Sequence, residues 1–111
     1  MLIFHNEASQ TTMRPSPDEM QAEMQRWNDW IGGIAAQGKF VSSEALMLFG
    51  KVVRGSQNVI TDGPFTEGKE IIGGYSIVSA ESIEDAIELA KGCPIFLVEG
   101  AVEVRPVMNF G

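Results

Sequence analysis

Four residues, Ser16-Pro17-Asp18-Glu19, constrain the fold of this chain most tightly, because together they write a complete helix start. Serine acts as N-cap, proline at the first helical position forfeits no hydrogen bond, and a glutamate three residues after the serine closes a capping box. Behind them Met20, Met24, Trp27, Ile31 and Ile34 recur at spacings of three and four, while Glu19, Glu23, Arg26 and Asp29 lie off that stripe. The spacing predicts an amphipathic helix over 16–37, with Gly38 just past its end. Its stripe is read as core. Trp30 falls off the stripe and is read as facing a partner subunit. A second cap, Ser82, opens a helix over 82–91 whose apolar face is Ile83, Ala86, Ile87 and Ala90, ended by Gly92 and Pro94.

The segments around the helices read as strands. Leu2, Ile3 and Phe4 form a first short strand that ends at His5, Asn6 and Glu7. Residues 40–41 and 45–53 are apolar and partly β-branched, and a turn at 54–57 returns the chain through 58–61 as a hairpin. Another strand is expected over 71–79. Ala101 to Arg105 alternates strictly, with Val102 and Val104 on one face and Glu103 and Arg105 on the other, and Pro106 stops it. Strand, helix, paired strands, helix, strand is an α+β order of the ferredoxin-like kind, an antiparallel sheet with two helices on one face. The 111 residues make one domain, 1–111.

Charge and cysteine content narrow the function. Fifteen acidic residues against eight basic ones leave a formal charge of −7, which disfavours nucleic acid and anionic membrane surfaces as partners. Cys93 is the single cysteine, so there is no internal disulfide and no paired-cysteine metal or redox motif, and beside Pro94 it reads as inert packing. No signal-peptide pattern opens the sequence, and no apolar run approaches the roughly 20 residues of a membrane span. A cytoplasmic protein is expected. No metal-ligand spacing, nucleophile elbow or phosphate-binding glycine loop is present, so neither a metal nor another cofactor is expected.

The unusual chemistry is concentrated in residues 58–75. Val59 and Ile60 lead into Asp62-Gly63-Pro64-Phe65, read as a turn with an aromatic at its exit. Asp62 is a candidate general acid or base beside Phe65, and equally a turn carboxylate that bonds the amides after it. His5 is a candidate proton-transfer partner, or a plain polar strand end. Glu67, Lys69 and Glu70 read as a solvated charge cluster, with Lys69 also a candidate anion binder. Gly73-Gly74 inside a strand indicates a bulge or close backbone approach, and Tyr75, on the side of Ile71, Gly73 and Ile77, is a candidate pocket residue. Glu103 and Arg105 pair with each other or recognise a ligand.

The strings Asp62-Gly63-Pro64-Phe65, Glu67, Lys69 and Glu70, Gly73-Gly74-Tyr75, Ala80-Glu81-Ser82 and Glu103-Val104-Arg105-Pro106 resemble the DGPF subgroup of the YCII-related proteins. The resemblance covers about the C-terminal half by motif. It implies a ferredoxin-like subunit that pairs through its sheet into a dimeric α/β barrel, and it implies no established reaction. Founding members of the family are associated with a histidine and aspartate pair, the histidine in the first helix region; here that helix has none, and His5 ends the first strand. A homodimer is also expected from the residues, since two helices cover one sheet face while the apolar runs at 2–4, 45–49 and 71–72 supply two. Two functions fit: a small-molecule enzyme of lyase, isomerase or oxygenase type using Asp62 for proton transfer, or a non-catalytic metabolite-binding or regulatory module.

Overall fold

The structure, a computed structural model, describes residues 1–7, 16–63, 66–67 and 70–108. In chain order it comprises β1 (Leu2–Glu7), α1 (Pro17–Ala36), β2 (Phe40–Ala45), β3 (Gly50–Arg54), β4 (Val59–Gly63), β5 (Thr66–Glu67), β6 (Glu70–Val78), α2 (Ile83–Ala90), a 3-10 turn (Pro94–Val98) and β7 (Ala101–Val104). The main sheet runs β2-β6-β1-β7, every pairing antiparallel, with β5 as a short addition to β6. Chain-early β1 thus lies between the two latest strands, the order that two strand–helix–strand crossovers produce, and the fold is α+β of the ferredoxin-like kind. The β3–β4 hairpin is an insertion between β2 and β6 that forms its own two-stranded sheet.

Both helix starts behave as their sequences require. Ser16 Oγ accepts from the Glu19 amide at 3.2 Å and Glu19 Oε2 accepts from the Ser16 amide at 3.4 Å, a closed capping box. Ser82 Oγ accepts from the Asp85 amide at 3.2 Å. Gly38 leaves α1 at φ +71°, a left-handed conformation in which glycine avoids the Cβ penalty.

Both helices cover the sheet face that carries Leu2 and Phe4. These two residues are buried with Ala90, Cys93 and Ile95, and Trp27, Trp30, Val78, Val102 and Val104 pack around them. Phe4, Trp27 and Trp30 form a triangle of edge-on rings with centroids 5.0, 5.9 and 5.7 Å apart, a geometry that contributes about 0.5–1.5 kcal/mol per pair beyond area burial.

Several local expectations are corrected. β1 continues through His5 and Asn6 to Glu7, because β6 still offers ladder partners there, Ile71 for Asn6 and Glu70 for Glu7, after β7 has ended at the pair His5–Ala101. The apolar stretch 45–53 is not one strand: β2 stops at Ala45 and β3 starts at Gly50, with the side chains of Met47 and Phe49 exposed between them. The partner strand explains the stop. β6 carries an extra residue, Gly73, between the pairs Phe4–Gly74 and His5–Ile72, and after Ala45 pairs with Gly74 the ladder on that side ends with the Leu46 amide on the Gly73 carbonyl at 2.9 Å. Trp30 packs in the core rather than at a partner surface, since α1 lies against α2 as well as the sheet and its buried stripe is wider than one row. Met20 and Met24 are not core; Met24 is 63% exposed. In α2 the inward side is Ala86, Leu89 and Ala90, with Ile83 and Ile87 exposed.

The hairpin stands away from this core. Its turn, 55–58, carries Gly55 at φ +75° and Asn58 at φ +55°, and its strands leave Val53, Val59 and Ile60 exposed. The radius of gyration, 15.6 Å, exceeds the roughly 13 Å of a close-packed chain of this length, as a protruding arm requires.

Candidate functional site

A cavity of about 420 Å³ opens between α1 and the helix-facing side of the sheet. Phe4 and Ile95 form its inner end, Trp27 and Ile31 its α1 wall, and the exposed Met20 and Met24 its rim. The size lies within the range of about 300–1,000 Å³ typical of small-molecule pockets, and the lining is mainly apolar with a few polar residues, Asn6, Glu23, Asn28, Ser43 and Glu44, the pattern such pockets share.

Gly73 and Gly74 line this space on its sheet side. A Cβ on Gly74 would lie 2.6 Å from the Glu44 carbonyl oxygen and 3.2 Å from Ala45 Cα, so β2 approaches β6 there only because glycine is present. A Cβ on Gly73 would collide with the Asn6 side-chain amide. Next to the pair, Ser43 Oγ lies 2.8 Å from Ser76 Oγ and donates to the Tyr75 carbonyl at 3.2 Å, which satisfies the polar atoms between these strands.

The other sheet face carries a charged cluster. His5 Nε2 lies 2.9 Å from Glu103 Oε1, His5 Nδ1 3.8 Å from Glu70 Oε2, and Arg105 Nε 3.8 Å from Glu103 Oε2. The register builds it, since His5 stands opposite Ala101 on β7 and Ile72 on β6, one step from the row Tyr75–Ile3–Glu103. With its proton on Nε2, the imidazole donates to Glu103. A carboxylate that orients a histidine in this way makes a general acid–base pair available, and the same contact serves equally as a surface ion pair.

The residues singled out in the sequence therefore separate into groups. His5, Tyr75, Glu103 and Arg105 share the face away from the helices. Glu103 and Arg105 meet as anticipated, but the shorter contact of Glu103 is to His5. Tyr75 and Ile71 do not share a side: the bulge at Gly73 shifts the alternation by one residue, so Ile71 is buried while Ile72 and Tyr75 face the other way. Asp62 lies within β4 rather than in a turn, in register with Lys51, and its carboxylate is 88% exposed and ion-paired with the Lys51 ammonium. It lines neither the cavity nor the His5 cluster. Phe65 and Lys69 lie outside the described residues.

The cavity itself was missed by sequence reasoning. Its signals were present in Gly73-Gly74 and in two methionines on the helix stripe, but a stripe records which residues are apolar and not whether the space in front of them is filled. Cys93 is buried, and burial pushes its thiol up to about 11, partly offset by a backbone hydrogen bond from Ile95. Among the described residues no three histidine, cysteine or acidic side chains are placed to hold a metal ion, and no helix is long and apolar enough to cross a membrane.

No curated protein matches the chain. The model of the YCII-related domain matches residues 1–111, and the chain belongs to that family.

Proposed function

We propose that this protein is a homodimer that binds a small molecule in the cavity between α1 and the sheet. The cavity carries the reading: about 420 Å³ of mainly apolar space, lined on the sheet side by two glycines whose replacement would meet backbone or the Asn6 amide. We place the chain in the DGPF subgroup on its Asp62-Gly63-Pro64-Phe65 string. The second copy is supported by the uncovered sheet face, where Ile3, Ile72, Tyr75 and Ile77 lie between the charged groups, and by the exposed apolar residues of the hairpin. Two such faces closed on each other form a dimeric α/β barrel with the His5 cluster inside it.

One observation favours a catalytic reading, the 2.9 Å contact between His5 and Glu103. Proton transfer by the pair belongs to the dimer, in which a second sheet removes that face from water. Asp62, exposed and paired with Lys51, receives less support as the proton carrier than His5 does.

Light scattering at micromolar concentration is expected to give about twice the chain mass of 12.1 kDa, and Tyr75→Glu to give a folded monomer. A wild-type monomer overturns the dimer. In a thermal-shift screen of metabolites, at least one compound is expected to stabilise the wild type but not Ala45→Phe, which fills part of the cavity. A screen in which every stabilising compound acts equally on both proteins overturns the binding site.

A further inference from the structure

We infer that the cavity selects an uncharged or cationic small molecule with an apolar body and rejects carboxylates and phosphates. This rests on the reading of the cavity as a ligand site and specifies its ligand class. Among the described residues no lysine, arginine or histidine lines the space, whereas Glu23, half-buried, stands on its α1 wall. An anion entering would leave water for a mainly apolar enclosure with no opposite charge among its described lining residues, and would face a carboxylate of its own sign.

The first turn of α1 offers no compensation. Backbone amides at a helix start attract anions, but here the Glu19 amide is already bonded to Ser16 Oγ and the Ser16 amide to Glu19 Oε2, with Asp18 adding another carboxylate. Glu44 also borders the cavity; its carbonyl oxygen lies beside Gly74, a further acceptor, while its register partner is Tyr75 on the row facing away from the helices. The amides of Asn6 and Asn28 can donate to a hydroxyl or accept from an ammonium. Trp27 supplies an aromatic wall, and an ammonium held near an indole gains from its quadrupole as well as from Glu23. Apolar walls, neutral amides and one carboxylate thus favour amines and alcohols over acids. The overall charge of −7 acts in the same direction at longer range.

Three probes of nearly equal shape separate the possibilities: phenethylamine, phenethyl alcohol and phenylacetate, titrated at neutral pH while following tryptophan fluorescence. The amine and the alcohol are expected to saturate, with phenylacetate at least roughly tenfold weaker than the amine. Glu23→Gln is expected to reduce the preference for amine over acid several-fold, and Ala45→Phe to abolish binding of all three. Phenylacetate binding as tightly as phenethylamine, or an amine preference unchanged in Glu23→Gln, would overturn the inferred class while leaving the cavity as a binding site. Saturation by none of the probes, or binding unaffected by Ala45→Phe, would overturn the site and the class together.

Discussion

Trp30 donates its indole N–H to the carbonyl oxygen of Leu89 at 2.9 Å, joining the middle of α1 to the last turn of α2. Carbonyls in the last turn of a helix lack intrahelical donors, so the indole satisfies a group that would otherwise need water or a cap. The same ring packs edge-on against Phe4 and Trp27.

Trp30→Phe keeps an aromatic ring but removes the donor. It is expected to destabilise the fold by about 1–3 kcal/mol, from the lost hydrogen bond and the smaller ring, as read by urea unfolding. Trp30→Ala should cost more, about 3–5 kcal/mol. If Trp30→Phe matched the wild type, the bond to Leu89 would carry no stability.

Two glycine replacements should act in opposite directions. Gly74→Ala places a methyl 2.6 Å from the Glu44 carbonyl, where backbone has to move, and is expected to cost about 1–3 kcal/mol. Gly33→Ala, within α1 with nothing inside 4 Å of the new methyl, is expected to stabilise by up to about 1 kcal/mol through helix propensity. Melting temperatures of the two variants should move apart, and a Gly74→Ala variant as stable as the wild type would contradict the close approach of β2 to β6.

Cys93 is expected to react slowly with thiol reagents in the folded protein at mildly alkaline pH and rapidly after unfolding, because burial holds its thiol protonated. With the native thiol at about 11 against 9.0 as its ordinary value, the folded state binds more protons between these values. Stability from this group is complete below pH 9 and is lost as pH rises towards 11. Cys93→Ala should show a shallower alkaline decline than the wild type, and equal slopes would remove the linkage.

The helices were legible in the sequence because their signals are local. Ser16 with Glu19, and Ser82 with Asp85, complete their hydrogen bonds within one turn of chain, so nothing distant can alter them. The order of strands was legible too, since the ferredoxin-like arrangement follows from the succession of elements. The cavity and the face of Tyr75 were not, because both depend on pairing between segments far apart in the chain. The ladder break beside Gly73 exists only in relation to β1, and Met24 reads as core until the space it borders is known to be open. Asp62 illustrates the same limit. Asp-Gly-Pro reads as a turn from composition, yet the pairing of Asp62 with Lys51 keeps it inside a strand.

The extra residue at Gly73 gives β6 two phases. On one side of it Ile71 points inward and Ile72 outward; on the other Gly74 and Ser76 are inward and Tyr75 outward, which is half a period out of step with simple counting. The strand is in effect two rulers joined end to end. Were Gly73 instead paired in turn opposite His5, the strand would be a single ruler with its Ile71 half turned over, burying Ile72 in place of Ile71 and moving Glu70 away from His5. One glycine without a side chain therefore decides which residues of an entire half-strand belong to the core and which to the charged face.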